Sequence, residues 1–332
     1  MIALIRTIDA HAAGQAFRLI VKGAPRAAGA ALAQRNDWLR RRADHVRRGI
    51  LLEPRGHGGL RGGLLTEPVS PGSHAGLLFL DADGYQPISI DGIIAGITIA
   101  LERGLIHGAG HDLQVDTAAG TVRVRAVLEE RGTARRVSSV AVSTVPSFVH
   151  TAARPVRLGT RELRVDVAFG GRFHAIVDTE ATGVPLSIAR LPELSRLAVD
   201  ICVSANAAGR VVHPAEPSLA GIAGVVFTGP PQDPEADLCN VSVTAGGRVN
   251  RSPGGTGTAA VMAVLDAMGM LPEDRPFVHE GLLGTLFRGR PLRRTIVGDF
   301  PALVAEIEGA AWITGEHTFF LDEDDPFREG SG

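Results

Sequence analysis

Cysteine is nearly absent: the 332 residues contain two, Cys202 and Cys239, both in apolar surroundings and neither in a CxxC pair. A disulfide framework is therefore excluded, as is a thiolate zinc site, because no His/Cys cluster has ligand spacing. Cys202 falls in a helical stretch and Cys239 begins a strand-like run, so both read as small buried hydrophobes. No sign of charge dominates either, with 34 Lys and Arg against 36 Asp and Glu. The one basic cluster, Arg40, Arg41, Arg42, Arg47 and Arg48, reads as the solvated face of a helix and not as a nucleic-acid footprint. Long apolar runs are missing too. The opening MIALIRTIDAHAAG has no extended hydrophobic region, and later runs are broken by Gly, Pro or charge well short of the ~20 residues a membrane span needs. Cytoplasm is the default location, and no membrane contact is expected.

What is present is ordinary globular material, 45% hydrophobic and 21% charged. Single cores stop growing at roughly 250–300 residues, so a chain of this length is expected to form two lobes. Strand-like runs recur at Phe17 to Lys22, Gly76 to Leu80, Val122 to Leu128, Val137 to Val142, Leu163 to Ala168, Ala175 to Val177, Gly224 to Phe227 and Asn240 to Val243. Helical stretches at Asn36 to Arg48, Ile93 to Arg103 and Leu194 to Ala207 lie between them, which makes the chain α/β (α+β).

Two segments share a design: polar or Gly-rich residues run straight into an apolar helix. One is SIDGIIAGITIALERG, beginning at Ser89; the other is GGTGTAAVMAVLDAMG, beginning about half a chain later at Gly254. Neither carries the charged face of a surface helix, so both are expected at lobe centres. A helix N-terminus presents amides without intrahelical acceptors, together with partial positive charge, and so suits a carboxylate or phosphate. Glycine allows close approach. GGTGT by itself is equally compatible with a flexible loop and cap, and it lacks the lysine of a P-loop.

Context comes from blocks spread along the whole chain: Ile8-Asp9-Ala10-His11, Leu52-Glu53-Pro54-Arg55-Gly56-His57, Leu64-Leu65-Thr66-Glu67-Pro68, Phe169-Gly170-Gly171-Arg172-Phe173 with Asp178, Val225-Val226-Phe227-Thr228-Gly229-Pro230, Arg251-Ser252-Pro253 before Gly255-Thr256-Gly257-Thr258, and Ile313-Thr314-Gly315 with His317-Thr318-Phe319. In this order they resemble the proline racemase family, which includes hydroxyproline epimerases and dehydratases. The resemblance implies a diaminopimelate-epimerase-like fold of two similar lobes, each wrapped around a central helix, with substrate in the cleft. It implies a first lobe of residues 1–150 plus 305–332, with its central helix at about 91–104, and a second lobe of 151–304, with its helix at about 255–269. It also implies a small imino-acid substrate, no metal and no cofactor, and leaves a homodimer open. In racemases of this kind a cysteine starts each central helix, and the pair works as two opposed general acid–base groups.

The chain departs from that pattern at several positions. Ser89 and Gly254 stand at the two cysteine positions, Ile90 and Asp91 replace a frequent Gly-His pair, and Asn250 replaces the Asp that opens the Asp-Arg-Ser-Pro segment. Thr244 replaces an aromatic residue, and Gln15 a frequent Glu. Ser89 needs help to act as a base, which Asp91 can give or replace; the plain alternative is that either residue only caps the helix. Substrate contacts are expected from Ile90, Asp91, Asn250, Gly254, Gly255 and Thr256. Three readings follow. The first is a lyase that removes the α-proton and dehydrates trans-3-hydroxy-L-proline or an analogue, needing only one base. The second is a racemase or 2-epimerase with a recruited second base, and the third an inactive imino-acid-binding protein. Other positions are read structurally: Glu53 with Arg55 as a buried ion pair, His57 shaping the cleft, His174 as a packing histidine or recruited base, and Asp322 to Asp325 as a solvated tail.

Overall fold

The computed structural model describes residues 2–106, 112–131 and 134–331. The chain divides into two compact units, Met1–Val142 with Gly309–Gly332, and Ser143–Glu308. The first contains β1 (Ile2–Ala12), β2 (Gln15–Lys22), α1 (Leu32–Arg42), α2 (Asp44–Leu51), β3 (Arg61–Thr66), β4 (Ala75–Asp81), β5 (Gly84–Gln86), α3 (Ile90–Glu102), β6 (Asp112–Thr117), β7 (Gly120–Arg131), β8 (Ala134–Ser143) and a C-terminal strand, Ala311–Asp322. The second contains β9 (Ser147–Leu158), β10 (Arg161–Phe169), β11 (Phe173–Asp178), α4 (Thr179–Thr182), α5 (Leu191–Ala207), β12 (Ile222–Gly229), β13 (Leu238–Thr244), α6 (Gly255–Ala267), β14 (Phe277–Gly281), β15 (Leu286–Val297) and β16 (Phe300–Gly309).

The two units repeat one strand plan. In the first, the C-terminal strand, β1, β2, β3, β4, β6, β7 and β8 pair in that order, antiparallel except for the parallel pairs β2–β3 and β4–β6. In the second, β9 to β16 pair in chain order, with β11–β12 and β13–β14 parallel. The parallel pairs fall at the same steps. A parallel pair cannot be joined by a hairpin and needs a crossover, and helices supply each one: α1 and α2, then α3, in the first unit; α4 and α5, then α6, in the second. In the second unit β16 returns to pair with β9 through Ala302 and Leu303, closing the barrel.

Each unit packs its strands against one apolar helix. All residues of α3 from Ile90 to Ala100 are buried, and α3 packs on β1 to β4 and the C-terminal strand. Helix α6, buried from Gly257 to Val264, packs on β9, β10, β11 and β15. A helix apolar on every side is stable only when surrounded. A glycine at the third residue after each N-cap lets the helix approach its strand. A Cβ on Gly92 would lie 2.8 Å from the Phe79 ring, and one on Gly257 would lie 2.8 Å from Ser242 Oγ.

Two expectations change. The helix expected from Asn36 to Arg48 is broken at Ala43, whose backbone (φ −142, ψ 23) turns α1 into α2. The turn brings Leu39, Ala43, Val46, Ile50 and Leu51 into one core with Leu78 and Leu80. Arg47 also leaves the expected solvated face: buried, it bonds both Asp44 oxygens and the carbonyls of Asp81 and Ala82. Among the described residues no helix is long and apolar enough to cross a membrane.

Candidate active site

The two central helices begin differently. Ser89 is the N-cap of α3 in extended geometry (φ −143, ψ 112), and its Oγ accepts the Gly92 N–H at 3.1 Å. The Ser89 carbonyl accepts the first helical bond from Ile93 N–H at 2.8 Å. Ser89, Ile90 and Asp91 are all buried. Asp91 occupies the first turn, where a carboxylate is favoured by the macrodipole. The α3 end is thus capped by its own hydroxyl and carries its own negative group.

The α6 end has no side-chain cap. Its N-cap, Gly254, has φ 77 and ψ 102, in the region that L side chains rarely adopt. A Cβ added there would meet Ser242 Oγ at 2.9 Å and Asn250 Nδ2 at 3.2 Å. A short relay holds this turn: the Gly254 N–H donates to Ser252 Oγ at 3.0 Å, and that hydroxyl donates to Asn250 Oδ1 at 3.0 Å. Asn250 Oδ1 also accepts the Ser252 N–H at 3.0 Å, which fixes the amide and turns Nδ2 toward Gly254. The Asn250 N–H binds the Ser242 carbonyl at 2.8 Å, tying the turn to β13.

Two histidines touch α6. His174 on β11 is buried, and its Nε2 lies 3.1 Å from Thr256 Oγ1 in the first helical turn. His279 on β14 is fully buried, with Nδ1 2.9 Å from Thr258 Oγ1. Burial pushes the His279 imidazole down to about 3, opposed only by Asp237. Its folded pKa is therefore depressed: below about pH 6.5 the unfolded chain takes up a proton that the folded chain refuses until about pH 3. Stability held above pH 6.5 is lost across that window, by up to about 1.4 kcal/mol per pH unit. Denaturant titrations between pH 6.5 and 4.5, above the carboxylate range, should show a shallower slope in His279→Gln than in the wild type, the remainder coming from His150 and His213, whose imidazoles burial also pushes down. Equal slopes in both proteins would overturn the assignment.

Sequence reasoning located Ser89, Ile90 and Asp91 at one helix start, and Asn250, Gly254, Gly255 and Thr256 at the other. It did not single out Ser242 or His279. For Ser242 a signal existed: in CNVSVT the polar residues Asn240, Ser242 and Thr244 alternate, as one face of a strand should, while Val241 and Val243 enter the core on the other.

Several structural readings are settled by partners. Arg55 pairs with Asp325 and donates to the Phe327 carbonyl at 2.8 Å. Its expected partner Glu53 instead offers its carbonyl to the Ser331 N–H. The tail is therefore bound at Asp325, because the half-buried guanidinium finds its carboxylate there. His57 Nδ1 accepts the Gly59 N–H within its own exposed loop. Cys202 and Cys239 are buried and reduced, and burial pushes their thiols up to about 12 and about 11, so neither supplies a thiolate. Among the described residues no group of His, Cys, Asp and Glu is placed to hold a metal ion.

The family model for proline racemase matches residues 7–331. The chain is 36% identical over 329 residues to the trans-3-hydroxy-L-proline dehydratase of Azospirillum brasilense, an alignment covering 98% of this chain and 97% of the relative. It is also 36% identical over 343 residues to proline racemase A of Trypanosoma cruzi, covering 97% of this chain and 80% of the relative. The solved structure of a hydroxyproline epimerase from Agrobacterium vitis with bound trans-4-hydroxy-L-proline is similar, with TM-score 0.89 and 29% identity, covering 99% of this chain and 94% of the other. Overall identity thus does not separate a lyase from an isomerase, and the residues at the helix ends must.

Proposed function

Because the chain belongs to the proline racemase family, we propose that it abstracts the α-proton of a proline- or hydroxyproline-like imino acid without a cofactor, and that its reaction is the dehydration of trans-3-hydroxy-L-proline or an analogue. In this reading Ser89 and Asp91 take the proton, and Ile90, Asn250, Gly254, Gly255 and Thr256 contact the substrate. The observation that carries it is Gly254. Racemization by two opposed bases needs a proton carrier at each central-helix start, and Gly254 has no side chain; its backbone and the neighbouring Ser242 and Asn250 also leave no ready place for one. Dehydration needs one base: the α-proton leaves to it, hydroxide departs from C3, and the resulting enamine tautomerises to a pyrroline carboxylate, with overall loss of water.

A second reading, 2-epimerization, is favoured by one contact, His174 Nε2 to Thr256 Oγ1, which offers a recruited acid–base pair at the α6 end. One experiment separates the two. Enzyme in D2O is given trans-3-hydroxy-L-proline, trans-4-hydroxy-L-proline and L-proline, and products are followed by NMR. Ketimine formation from the 3-hydroxy compound is the expected result. Deuterium incorporation with inversion and no loss of water would establish epimerization instead. Binding without exchange or product would leave an imino-acid-binding protein.

A further inference from the structure

Among the described residues at the α6 end, Ser242 is a buried polar side chain that no family motif covers and no hydrogen bond explains. Its side chain is buried, and Oγ has no hydrogen-bond partner among the described residues. Leaving a buried hydroxyl unpaired is unfavourable, so such a group calls for an explanation. It points at the start of α6, within 2.9 Å of the Cβ site of Gly254 and 2.8 Å of that of Gly257. The internal repeat sharpens the contrast. In the first unit the residue facing the matching glycine, Gly92, is Phe79, an apolar ring that fills its space. The second unit places a hydroxyl there.

The surroundings select the ligand. Asn250 Nδ2 faces the same Cβ site at 3.2 Å, and its family counterpart Asp would bring a negative charge in place of a donor. Gly254 supplies no side-chain cap, and the macrodipole places partial positive charge at this end of α6. The α3 end differs in both respects, having the Ser89 cap and the Asp91 carboxylate. A helix N-terminus with a hydroxyl and an amide as donors beside it, and with no acidic residue in its first turn, suits a carboxylate oxygen.

We propose that Ser242 is a substrate-positioning residue whose hydroxyl donates to the substrate carboxylate at the α6 N-terminus, beside Gly254, which presents no side chain to it. This rests on the proposed imino-acid substrate. It assigns Ser242 to binding and not to proton transfer, so removing the hydroxyl raises KM and leaves kcat at saturation nearly unchanged.

The test is Ser242→Ala, with affinities for L-proline, trans-3-hydroxy-L-proline and pyrrole-2-carboxylate measured by calorimetry beside L-prolinamide, which lacks the carboxylate. A lost hydrogen bond to a charged group weakens the three carboxylates roughly ten- to hundredfold. L-Prolinamide is bound alike by both proteins. Unliganded Ser242→Ala melts no lower than the wild type, because its hydroxyl makes no structural bond; a lower melting temperature would point to a structural role and count against the assignment. Unchanged carboxylate affinity, or an equal loss for L-prolinamide, overturns it. Wild-type binding without α-proton exchange would refute the catalytic reading while Ser242 stood. Exchange by the wild type with full carboxylate affinity in Ser242→Ala would do the reverse, and a wild type that binds no carboxylate would refute both.

Discussion

Asp91→Asn is expected to slow α-deuterium exchange roughly a hundred- to ten-thousandfold, the range for removing a positioned general base. A carboxylate accepts a proton at neutral pH, whereas a serine hydroxyl must first be activated. Ser89 Oγ already accepts the Gly92 N–H as a helix cap, so Ser89→Ala costs about 1 kcal/mol of stability whatever its chemistry. Its effect on exchange is the smaller of the two. NMR of the substrate α-position in D2O measures both variants directly. If Asp91→Asn were as fast as the wild type and Ser89→Ala inactive, the serine would be the base and the aspartate only a favourable charge at the helix end.

The second large effect is on stability. Gly254→Cys, which would place a thiol at the start of α6, is expected to lower the unfolding free energy by about 2–5 kcal/mol through left-sided backbone strain and overpacking. The strain arises from φ 77, and the overpacking from Ser242 Oγ, 2.9 Å from the new Cβ. Adding Ser242→Ala should recover part of the loss, because it removes the oxygen and leaves the backbone term. Chemical denaturation of the single and double variants separates these contributions by a mutant cycle. A Gly254→Cys protein as stable as the wild type would show that the turn adjusts, and would reopen a two-thiol route through Ser89→Cys.

Both predictions depend on how the sequence reads at the helix ends. The apolar runs after Ser89 and Gly254 fixed two buried helices, since no exposed face could be drawn on either. Ordered blocks from Ile8 to Phe319 carried the family, and with it the expectation of a repeated lobe. Strands built from β-branched runs, such as β12, were legible. Strands such as β15 and the C-terminal strand, which alternate charged or exposed residues with buried ones, were not.

Sequence by itself therefore determined the family, the α/β class and the glycine at the start of the second central helix, because these depend on residue identity and local period. Tertiary structure decided the rest. The break at Ala43 has no Gly or Pro to announce it and follows from packing onto β4. Arg55 chose Asp325 over Glu53 because the chain end comes back to it. The parallel pairs, and the hydroxyl of Ser242 opposite Gly254, depend on strand register and on contacts between residues distant in the chain. Local propensity does not encode such contacts; only the packed barrel around α6 brings β13, the Asn250 turn and the helix start together.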